Sequence, residues 1–98
     1  MTVYKKGSWR EVCRESDLVL TLIHGLFGPF AFLTDPAEAL DTIPLPAEDA
    51  LDSARQLITE NSRLRNLVVI DEHGLWEERW GQLVAHEGCN GGRRGSGT

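Results

Sequence analysis

Apolar positions gather in short stretches whose spacing changes along the chain. Leu18-Val19-Leu20-Thr21-Leu22-Ile23 is a run rich in strand-forming residue types, and Phe30-Ala31-Phe32-Leu33 is a second. Between them, His24-Gly25-Leu26-Phe27-Gly28-Pro29 holds two glycines and a proline. Two short apolar runs around such a breaker predict a buried β-hairpin over 18–33. One helix over 9–27 competes with it. Trp9, Val12, Cys13, Val19, Leu20, Ile23 and Phe27 also fall near one helical face, and short apolar runs do not separate the two periods.

A clean helical stripe follows. Ala47, Ala50, Leu51, Ala54, Leu57, Ile58 and Leu64 recur at intervals of three and four, which predicts a helix over 46–63. Glu48, Asp49 and Asp52 lie near its start, and Arg63 and Arg65 near its end, as the helix dipole favours. The alanines of the stripe let whatever packs on its N-terminal half approach closely. Asn66-Leu67-Val68-Val69-Ile70 then reads as a buried strand and Asp71-Glu72-His73-Gly74 as a turn. Leu75-Trp76-Glu77-Glu78-Arg79-Trp80 is expected to return as a strand, which makes a second hairpin over 67–80. A helix over 75–87, aligning Trp76, Trp80, Leu83 and Val84, is the alternative.

Weaker signals flank these elements. Ser8-Trp9-Arg10-Glu11 fits a capping box and predicts a short helix over 9–15, with a hairpin turning at Lys6-Gly7 as its rival. Asp35-Pro36-Ala37-Glu38 predicts one or two helical turns ending before Thr42. Ile43-Pro44-Leu45-Pro46 forms an extended link. The order hairpin, helix, hairpin gives an α+β fold: two layers, an antiparallel sheet from two β-hairpins with one main helix packed across it. Residues 1–87 form a single domain, and 88–98, rich in glycine and arginine, a disordered tail.

Composition narrows the function. The 98-residue chain carries a formal charge of −5. Arg93 and Arg94 are the charged groups of 88–98. Residues 1–87 therefore hold eight of the 10 basic groups and all 15 acidic ones, a balance of −7. Such a body repels phosphate backbones, so nucleic-acid binding is not expected. It suits a basic protein partner, through faster encounter. The apolar run 18–33 is interrupted by glycine and proline, so no membrane span is expected. The N-terminus lacks the pattern of a signal peptide, and two cysteines, Cys13 and Cys89, are few for a secreted domain. A cytoplasmic protein with reduced thiols is the expectation.

Candidate chemistry is sparse. Asp71-Glu72-His73 and His86-Glu87-Gly88-Cys89 offer ligand types without a zinc spacing, so neither a metal nor another cofactor is expected. Cys13 lacks the local signature of a nucleophile. The glycines of 24–29 do not form a phosphate loop. The reading leans away from an enzyme, although His24 or His73 beside an acid is the pair such a reading would use. The candidate contact residues are Trp76, Trp80, Phe27, Leu26 and His24. Trp76 and Trp80 are either core or interface, and an uncovered tryptophan face would be buried by a homodimer. Leu26 and Phe27 are either tucked into the core by a tight connection or carried on a mobile apolar loop over a pocket or partner. Together these features favour a small acidic protein-binding module, a regulator or inhibitor acting by non-covalent association. The alternative is a small-molecule-binding domain with a pocket between sheet and helix, lined by Trp76, Trp80, Phe30 and Phe32.

Overall fold

The computed structural model describes residues 3–86. It has strands β1 (Val3–Lys6), β2 (Asp17–Gly25), β3 (Gly28–Asp35), β4 (Leu40–Asp41) and β5 (Leu45–Pro46), then helix α1 (Ala47–Glu60), β6 (Asn66–Ile70) and β7 (Gln82–Ala85). All seven strands join one sheet in the order β4-β3-β2-β6-β1-β7, with β5 also paired to β3. The fold is α+β, one helix against one sheet, and the sheet is mixed. The hairpin expected over 18–33 is present: β2 and β3 pair antiparallel from Val19↔Thr34 to Gly25↔Gly28. By contrast, β6 runs parallel to both β2 and β1, and β7 runs parallel to β1.

The second expected hairpin, over 67–80, does not form. Both edges of β6 are occupied, by β2 on one side and β1 on the other, so residues 75–80 have no free ladder to join. The Asp71 carboxylate accepts the amides of Leu75 and Trp76 at 2.8 and 2.9 Å. That turns the chain out of the sheet plane. A 3-10 turn at Glu78–Trp80 follows, and pairing resumes at β7.

Other boundaries also shift. The expected helix over 9–15 contracts to a 3-10 turn at Trp9–Glu11, where Glu11 accepts the Ser8 amide at 2.9 Å. Residues 36–39 make a turn rather than helical turns, because the chain must reverse for β4 to pair back on Thr34 and Asp35. Helix α1 ends at Glu60, before Arg63, and Arg63 instead reaches Asp35 at 2.6 Å and the Glu15 carbonyl at 2.8 Å. The tail expected over 88–98 lies outside the described residues.

The core lies between α1 and one sheet face. Leu18, Leu20 and Leu22 of β2, Ala31 and Leu33 of β3, and Leu67 and Val69 of β6 meet Ala47, Ala50, Leu51 and Ala54. Burying a leucine side chain contributes about 1.5–3 kcal/mol, so this face carries most of the stability. Residues 7–16 cross the opposite face, where Val19 and Val68 are fully buried. Cys13, expected as a reduced thiol, is disulfide-bonded. Among the described residues no helix is long and apolar enough to cross a membrane.

Candidate functional site

The β2–β3 turn carries the most exposed large apolar side chains among the described residues. The ladder runs to its last residue pair, Gly25↔Gly28. Both glycines are required there. Gly28 has φ of +136°, a conformation that side chains resist. At Gly25 a Cβ would run into the Phe30 ring and lie 2.7 Å from the Gly28 carbonyl oxygen. The tight reversal leaves Leu26 and Phe27 at its tip, each 94% exposed. The inward expectation for this pair does not hold, and neither side chain contributes to the core.

A groove of about 520 Å³ opens beside this tip. Phe27, Gly28 and Pro29 form one wall, and the start of α1 and Trp80 the other, with Glu48, Asp49, Glu77 and Arg79 on the rim. The Arg79 guanidinium lies 2.7 Å from Glu48 and 2.5 Å from Glu77, with its carbon 5.8 Å from the centre of the Trp80 ring. The hydrogen bond to Glu77, followed by the charge of Glu48, holds the Arg79 pKa above its ordinary value. Glu48 also accepts the Trp80 indole N–H at 3.3 Å.

Trp76 and Trp80 lie on the helix side of the sheet. Their rings meet edge to face at 5.4 Å, and Trp76 meets Tyr4 in the same way at 5.2 Å. Trp80 is only 7% exposed and belongs to the core, and Trp76 packs against it with its indole N–H on the Gly81 carbonyl at 3.0 Å. An open cleft of about 660 Å³ runs along Trp76, Trp80 and Leu83. The four residues expected to line one pocket do not all meet in either cleft: Phe30 lines the groove beside the tip together with Trp80, Trp76 lines the open cleft with Trp80, and Phe32 lines neither of the two.

His24 is the last residue but one of β2, and its ring meets that of His73 in the 71–74 turn at 4.9 Å, a contact that the sequence does not signal. Both rings are exposed, and among the described residues neither donates to a carboxylate. A histidine–carboxylate pair does exist elsewhere. His86 Nε2 donates to Asp17 Oδ2 at 2.9 Å, and both residues are buried. The Asp17 carboxylate also accepts the Cys13 amide at 2.8 Å and the Asn66 side-chain amide at 3.1 Å. Ligand atoms of Cys13, Asp17 and His86 lie within 4.8 Å of one another, a spacing that could hold a metal. The Cys13 sulfur is committed to a disulfide, however, and supplies no thiolate. The cluster ties residues 7–16 to the sheet and to the end of β7.

The structure thus brings Leu26, Phe27 and, across the groove, Trp80 to one end of the molecule, with His24 one residue pair back from the turn and Trp76 packed against Trp80. Sequence reasoning missed Glu48, Glu77 and Arg79. Their grouping depends on the 71–81 loop folding back onto the start of α1, which no local pattern announces. Apolar tip, aromatic wall and charged rim meet at this end of the molecule. Comparison with protein-family models, curated proteins and solved structures finds no match for the chain.

Proposed function

We propose that the protein is a small acidic protein-binding module, a regulator or inhibitor that acts by non-covalent association through its β2–β3 turn end. The observation that carries this reading is the 94% exposure of adjacent Leu26 and Phe27. Large apolar side chains held out together on a rigid turn mark interaction sites. A phenylalanine with few rotatable bonds loses little entropy when a partner closes on it. The balance of −7 over residues 1–87 suits a partner with basic groups around an apolar pocket. It disfavours anionic membrane surfaces and nucleic acid.

The reading assigns the protein to the cytoplasm, and the Cys13 disulfide is the observation that weighs against that location. A homodimer is the second form of the same reading, with the apolar tip meeting a second copy. The small-molecule alternative rests on the open cleft along Trp76, Trp80 and Leu83.

The test compares pull-downs at physiological salt with the wild-type chain and with the Leu26→Ser/Phe27→Ser double variant. A protein retained by the wild type and lost by an equally stable double variant supports the reading. Equal capture by both refutes the placement of the contact surface. Sedimentation of the purified chain separates the homodimer from a distinct partner.

A further inference from the structure

We propose that the groove beside the hairpin tip receives a basic side chain of the protein partner, arginine above all, and that Arg79 occupies that place in the free protein. This rests on the protein-binding reading and adds the chemistry of the partner.

Arg79 is a surface residue with a seat built for it. Its side chain is 64% exposed, yet its guanidinium has a carboxylate at 2.7 Å, another at 2.5 Å and an aromatic ring beneath it. Paired carboxylates and a tryptophan face are what a planar guanidinium binds best. The seat is also held in place. Trp80 is buried and its indole N–H is bonded to Glu48, while Glu48 itself stands in the first turn of α1. Asp71 holds the backbone at Leu75 and Trp76, just before Glu77, whose carboxylate pairs with Arg79. Removing Arg79 would leave the Trp80 indole still bonded to Glu48 and free the Glu77 carboxylate beside them.

The occupant is displaceable. Exposed ion pairs contribute little because water and salt compete with them. The rim remains acidic even with Arg79 bound, since Glu48, Glu77 and Asp49 stand against one cation. Charge therefore points to a cationic guest. The opposite wall, Phe27 and Pro29, is apolar and continuous with the exposed tip. A segment that presents arginine next to an apolar residue would fill both walls at once. A negatively charged surface of lipid or nucleic acid would meet the acids instead.

The experiment follows the Trp80 indole N–H resonance of the full chain by NMR during titration with acetyl-Ala-Arg-Leu-amide. The control peptide carries citrulline, which keeps the shape of arginine and removes its charge. The expected result is that the arginine peptide moves the Trp80 resonance and binds the Arg79→Gln variant roughly three- to ten-fold more tightly than the wild type, the gain from freeing two exposed ion pairs. Adding Glu48→Gln to Arg79→Gln should reduce that affinity to the level of the citrulline peptide. Equal affinity for wild type and Arg79→Gln, or equal binding of the two peptides, overturns the proposal. The Leu26→Ser/Phe27→Ser variant should still move its Trp80 resonance with the arginine peptide. Loss of the cellular partner by that double variant, alongside no effect of Arg79→Gln on the peptide, would defeat this inference and leave the protein-binding reading standing.

Discussion

At Gly25 the missing Cβ leaves the space that the Phe30 ring fills, next to the exposed Leu26 and Phe27. Gly25→Ala should push the ring off its rotamer or part the two strands. A loss of about 1–3 kcal/mol, the usual cost of overpacking, is expected in chemical denaturation. Asp17 presents the opposite situation, a buried carboxylate with every contact used. Asp17→Ala leaves the Cys13 amide, the Asn66 amide and the His86 ring without their acceptor. Each stranded polar group costs about 1–3 kcal/mol, so a large drop in Tm should follow, and residues 7–16 should lose hydrogen-exchange protection first. A variant that melts like the wild type would show that the cluster is not structural.

Among the elements, legibility followed the range of the interactions that decide them. The 18–33 hairpin could be read because glycines at 25 and 28 interrupt two strand-like runs locally. Helix α1 could be read from its stripe, although its end could not, since Arg63 is drawn away by Asp35 and Glu15 from other parts of the chain. The 67–80 hairpin failed because nothing near residue 75 reveals that β6 is central, with β1 on its far edge. Strand β1 went unread for the same reason: Val3-Tyr4-Lys5-Lys6 takes its partners from β6 and β7, and Tyr4 reaches the core. The candidate site was legible in its apolar half, Leu26, Phe27 and Trp80. Its charged half was not, because Glu48 and Arg79 are brought together only by tertiary structure. The alanines of α1 give a test at this scale. Ala54 is fully buried against the sheet, so Ala54→Leu should destabilise by about 1–3 kcal/mol, whereas Gln56→Leu on the exposed face should stay within about 0.5 kcal/mol. Equal effects at the two positions would mean that the helix does not approach the sheet closely.

For the molecule as a whole, the helix and the tryptophan loop cover one face of the sheet and residues 7–16 cross the other. This leaves an apolar tip at the end of an acidic body. On the proposed reading the tip makes the contact, while Trp80 serves both the core and the groove wall. Association with a basic partner should be steered by charge, so its rate should fall by about ten-fold or more between low and high salt, while dissociation changes less. Stopped-flow measurement with the captured partner checks this, and a salt-independent rate would remove the role of the acidic surface. The claim that the β2–β3 tip is the contact surface is tested most directly by photo-cross-linking. A photoreactive amino acid replaces Phe27 in one chain and exposed Gln56 of α1 in another, and both are irradiated in native lysate. The account predicts a discrete covalent adduct with one protein from position 27 and none from position 56. No adduct from position 27, or the same adducts from both positions, would contradict it.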